Sequence, residues 1–137
     1  MRVIVAACLF AASTTLAQAS CNDAQSNAEM KMCAERDWKA ADAELNRAYA
    51  KALASARDTY RSMRGEPGYQ NMPDGEAMLR RAQQAWISFR DANCNYQYQV
   101  YYGGTHAGLA YLICMGDMTK ARLKELRQLP GGDEFEP

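Results

Sequence analysis

Apolar residues recur along most of this chain at intervals of three to five, the spacing of one helix face, and no stretch shows the sustained period-two alternation of a strand. The first such stretch opens at Ser26 with Glu29 three residues on, a capping box in which each side chain satisfies a backbone N–H at a helix start. Met30, Cys33, Trp38, Ala41, Leu45, Tyr49, Ala52, Ala56, Tyr60 and Met63 follow at helical spacing, and neither Pro nor Gly intervenes before Gly65. The pattern predicts one long helix, with a bend or break expected near residues 34–37. Residues 65–75 gather Gly, Pro, Asn and Asp, which supply turn geometry and stop a helix, and Asp74 is placed to cap the next one. That second helix takes Met78, Ala82, Trp86, Phe89, Tyr96 and Val100 as its apolar face and runs to about Tyr102, where Gly103-Gly104 breaks it. Thr105 is the expected cap of a third helix through Leu109, Leu112, Ile113, Met118, Leu123 and Leu126, with Lys120, Arg122, Lys124 and Arg127 toward the negative end of its dipole. Short links between long amphipathic helices place neighbours antiparallel. The expected fold is all-α, an antiparallel three-helix bundle with a short N-terminal arm.

Ahead of the helices, Arg2, an apolar run from Val3 to Leu16 and the small-x-small Ala17-Gln18-Ala19 have the form of a secretory signal over residues 1–19. The run is shorter than the roughly 20 residues a membrane crossing needs, so no membrane span is expected. A single helical domain then fills residues 20–130, and residues 131–137 read as a disordered acidic tail. The implied location is the periplasm or the exterior. Sixteen basic residues face sixteen acidic ones, and loss of the signal removes only Arg2. No concentrated basic face appears, which argues against nucleic acid as a partner.

Four cysteines lie beyond the signal: Cys21, Cys33, Cys94 and Cys114. An even number in an exported chain points to disulfides, two of which would staple the bundle. Cys94 and Cys114 lie equally far from Gly104, so folding there brings them level and predicts their bond. Cys21 and Cys33 then pair by elimination, with Cys21–Cys114 and Cys33–Cys94 as the alternative set. The thiols contain no Cys-x-x-Cys pair, which argues against a metal site.

The densest stretch is 84–94, where Trp86 and Phe89 are expected as core anchors beside Arg90 and Cys94. Asp42, Asn46 and Tyr49 share one face of the first helix, and Arg90 is the cation expected to meet them. Such a cluster serves either a small ligand or the register between helices, and register is the ordinary use. Tyr96, Tyr98, Tyr101, Tyr102 and Tyr111 crowd rings around the second turn, which suits sugar stacking or a protein interface. Glu66, Tyr69, Asp74 and Glu76 form an acidic stretch in and beside the long loop, placed to contact a basic partner, as do Tyr101 and Tyr102 by their rings. No Ser-His-Asp order, glycine-rich phosphate loop or His-rich motif is present, and His106 lacks the nucleophile or orienter that a general base needs. The chain reads as a non-enzyme without cofactor or metal, whose partner is another protein.

Asp42-x-x-Leu45-Asn46-x-x-Tyr49, followed by Gln-x-x-Trp86-x-x-x-Arg90-Asp91-x-x-Cys94 and then Cys114, resembles the LprI-like family of small exported bacterial proteins. The likeness covers nearly all of the chain beyond the signal. The family is helical and disulfide-bonded, and takes its name from a member that inhibits lysozyme. The resemblance implies a protein that binds and blocks a lysozyme in the periplasm. The alternative is a non-catalytic structural or adaptor module of the cell envelope.

Overall fold

A computed structural model of the chain describes residues 21–136; the signal expected over residues 1–19 lies outside them. After a 3₁₀ turn at Cys21–Asp23, α1 spans Asn27–Met63, α2 Gly75–Val100 and α3 Ala107–Arg127, and the described residues contain no strand. The capping box forms as read: Ser26 Oγ accepts from the Glu29 N–H at 3.2 Å, and Glu29 Oε2 accepts from the N–H groups of Ser26 and Gln25 at 3.0 and 3.1 Å. Those donors hold the Glu29 carboxyl below its ordinary value. The helix then runs unbroken for 37 residues, without the expected interruption near 34–37. Asp74 caps α2 by accepting from the Ala77 N–H at 3.0 Å. Gly103, at φ +83°, supplies the left-handed turn between α2 and α3. Thr105 does not cap α3; its Oγ1 instead accepts from Asn27 Nδ2 at 3.2 Å and ties this turn to the start of α1.

Successive helices are antiparallel, so α1 and α3 run side by side in one direction. Their shared core is Leu45, Ala48, Leu123 and Leu126, with Tyr49, Leu79, Trp86 and Leu129 packed on it. Both disulfides follow the first of the two pairings: Cys21–Cys33 with Cα atoms 5.7 Å apart, and Cys94–Cys114 at 5.5 Å.

α2 buries three residues, Gln83, Arg90 and Cys94, and each is held by a directional bond. Gln83 Oε1 accepts from Arg122 Nε at 3.1 Å, Arg90 pairs with Asp42 of α1, and Cys94 is bonded to α3. These ties fix the rotation of α2 and correct the expected apolar face. Met78, Phe89, Tyr96 and Val100 are all more than half exposed, and Phe89, expected in the core, is 62% exposed. Counting back from Cys94 in steps of one and three turns leads to Arg90 and Gln83, whereas Phe89 falls about 100–140° to one side of all three. Trp86 is the one large apolar residue of that set that reaches the core.

The C-terminal residues make contacts back to α1 and α3. Asp133 pairs with Lys51 of α1, Arg127 with Glu134, and the Glu134 N–H donates to the Arg127 carbonyl at 3.0 Å.

Candidate functional site

The polar residues singled out in the two helices meet at Arg90. Its side chain, 10% exposed, donates through Nε to Asp91 Oδ1 at 2.9 Å and lies 3.5 Å from Asp42 Oδ1. The guanidinium carbon sits 5.0 Å from the centre of the Trp86 ring, within reach of a cation–π interaction. Asn46 Nδ2 donates to the second Asp42 oxygen at 3.1 Å, and Tyr49 packs against the hydrophobic core beside them. The cluster is closed on itself: one buried cation faces two carboxylates and a ring, with no nucleophile or imidazole alongside. Among the described residues no three His, Cys, Asp or Glu side chains gather as a metal site. The Arg90–Asp42 pair joins α2 to α1.

Exposed tyrosine rings stand at both ends of the bundle. At the α2–α3 turn Tyr98, Tyr101 and Tyr102 are 41%, 50% and 72% exposed, and Tyr98 meets Tyr102 edge to face with centroids 6.2 Å apart. The Cys94–Cys114 bond underpins this turn, and the Asn27–Thr105 hydrogen bond ties it to α1. The same end carries the Cys21–Cys33 bond, and the N-terminal arm, α1 and α3 enclose a cleft of about 380 Å³ there, lined by Met30, Asp37, Leu109 and Asp117. The four-residue spacing of Tyr98 from Tyr102 is the sequence signal that pairs them.

The opposite end differs from its sequence reading. Glu66 and Tyr69 are exposed, but Asp74 is occupied as the α2 cap, and Glu76 lies between Arg80 at 2.6 Å and Arg57 at 3.8 Å. The hydrogen bond that Arg80 donates to Glu76 raises the Arg80 pKa above its ordinary value. Arg61, Arg64 and Arg81 stand on the same segments, so the stretch is not an acidic patch.

The family model described as lysozyme inhibitor LprI matches residues 17–126. The chain belongs to the LprI family. Uncharacterized protein R02472 of Rhizobium meliloti (strain 1021) is 31% identical over 122 residues, which cover 89% of this chain and 86% of that protein. Uncharacterized protein YecT of Escherichia coli (strain K12) is 26% identical over 113 residues, 79% of this chain and 67% of that protein. No solved structure matches. The two runs that carry the LprI resemblance, 42–49 in α1 and 83–94 in α2, are the segments that meet at Arg90, Trp86 and the core.

Proposed function

We propose that this protein is an exported, non-catalytic inhibitor that binds a lysozyme in the periplasm or outside the cell. The observation that carries this reading is the match of residues 17–126 to a family described as a lysozyme inhibitor. Two disulfides support export, because such bonds persist in oxidising compartments. No helix among the described residues is long and apolar enough to cross a membrane.

The contact surface in this reading is the tyrosine end, Tyr98, Tyr101 and Tyr102. A tyrosine offers a flat apolar face and a hydroxyl, the two means by which a cleft holds a sugar ring. These rings stand on a turn already fixed by a disulfide and a side-chain hydrogen bond, so docking costs little ordering entropy. Occupying the cleft is enough to stop hydrolysis, and no reaction on the inhibitor is required. Glu66 and Tyr69 remain open for contact at the other end, whereas Asp74 and Glu76 are engaged within the fold.

Calorimetric titration of the oxidised protein against lysozymes of several types tests the proposal. Tyr101→Ala and Tyr102→Ala are expected to weaken binding about 30-fold each with unchanged melting temperature. Unaltered affinity in both variants moves the contact away from this end, and no binding to any lysozyme refutes the function. The same exposed rings also fit an envelope adaptor; a pull-down from periplasmic extract that returns one stable partner other than lysozyme supports that second reading.

A further inference from the structure

The outward rotation of α2 leaves a continuous apolar flank. At about 100° per residue, Met78, Ala82, Ala85, Phe89, Tyr96 and Val100 fall within an arc of about 60°. All six are exposed, the four larger ones at 52–65%. From 82 to 100 the helix carries only two charged residues, Arg90 and Asp91, which are bonded to each other away from this flank. The flank lies on the side of α2 opposite Tyr98, so it is separate from the surface assigned to lysozyme.

The spacing along the flank is symmetric about Phe89. Ala82 and Tyr96 lie seven residues to either side of it, and Met78 and Val100 lie eleven to either side. Two such helices laid antiparallel with Phe89 against Phe89 therefore place each Tyr96 over an Ala82 and each Val100 over a Met78. Large meets small, as close packing requires. A receiving groove is present at that place: where α3 stops at Arg127, α1 and the first turns of α2 run on and bound about 470 Å³, lined by Ala52, Ala56, Met78, Leu79, Ala82 and Leu129.

We propose that this flank pairs two copies of the chain, their α2 helices antiparallel about a two-fold axis at Phe89. The four large side chains expose roughly 500 Å² between them, at the upper range of apolar patches on monomers. With the alanines and the groove walls the buried surface approaches the roughly 800 Å² per partner of a stable interface. The absence of charge on the flank removes like-charge repulsion from a self-pairing, which a two-fold axis would otherwise impose on every charged residue near it.

Sedimentation velocity of the oxidised protein from about 1 to 200 µM tests this. The expected result is a reversible dimer whose dissociation constant rises at least about 100-fold in Phe89→Asp, since the axis counts the change twice. Phe89 is exposed in the single chain, so the melting temperature of the monomer stays unchanged. Ala82→Glu and Tyr96→Lys each weaken pairing alone, and an equimolar mixture of the two recovers it, because the antiparallel register sets Glu against Lys while the other half keeps the native contact. A wild-type protein that stays monomeric at 200 µM overturns the proposal, as does a dimer indifferent to Phe89→Asp. A mixture that does not recover pairing overturns the register. A monomer in which Phe89→Asp abolishes lysozyme binding assigns the flank to lysozyme and overturns self-pairing.

Discussion

Replacing Arg90 by Ala tests whether the signature cluster is framework. Three contributions are lost together. The guanidinium pairs with Asp91 and Asp42, but those carboxylates are 47% and 41% exposed, and solvent screening leaves about 0.5 kcal/mol for each pair. The cation over Trp86 adds about 1 kcal/mol. The buried three-carbon stem adds about 2 kcal/mol, with a further amount for the space left behind. Against these, removing a buried charge relieves its desolvation, which trims the ion-pair share further. The expected loss is about 3–4 kcal/mol, a large part of the 5–15 kcal/mol of a small domain, and a fall in melting temperature of about 10 °C or more. Because most of this is packing, Arg90→Met is expected to lose only about 1–2 kcal/mol. Urea unfolding followed by far-ultraviolet circular dichroism measures both, and a cycle with Asp42→Ala isolates a coupling of about 0.5–1 kcal/mol. A loss below about 1 kcal/mol in Arg90→Ala refutes the framework role. So does a variant of full stability that no longer binds its partner.

Three further expectations follow from the fold. Opening the Cys94–Cys114 loop of 20 residues by a double Cys→Ser replacement is expected to cost about 3 kcal/mol on the chain-entropy account, read by the same urea titration. Leu126→Ala removes a fully buried side chain from the α1–α3 core and is expected to cost about 2–5 kcal/mol, more than any exposed substitution on α2. The lowered pKa of Glu29 means that its contribution is present above the unfolded carboxylate range and disappears as pH falls through the folded value. Glu29→Gln keeps a neutral capping partner and is expected to flatten the acid limb of the stability profile; an unchanged acid limb contradicts the assignment.

The three helices, their first two caps, the long loop and both disulfides were legible because each rests on local chemistry: periodicity, Ser and Asp as caps, Gly and Pro as stops, and a hairpin that levels Cys94 with Cys114. The rotation of α2 is not the one that hydrophobicity alone predicts. Hydrophobicity argues for Phe89 inside with Trp86, and bonding partners on other helices turn it outward while Arg90 meets Asp42 as its position predicts. Gln83 and Arg90 are buried because Arg122 and Asp42 satisfy them. The correct angle was nonetheless available, since a cysteine bonded to α3 must face α3, and Arg90 and Gln83 lie one and three turns before it. The ion pairs of the tail and the long loop are not legible in the sequence for another reason. Lys51, Arg57 and Arg80 neutralise Asp133 and Glu76, two of these three lie on another helix, and sequence distance hides such partners.

The central claim is inhibition of lysozyme without catalysis, and a turbidity assay of cell-wall lysis tests it most directly. Purified oxidised protein at micromolar concentration is expected to slow lysis by at least one lysozyme type, in proportion to its concentration and without being consumed. Undiminished lysis across lysozymes of several types, by protein whose fold and disulfides are intact, contradicts the account.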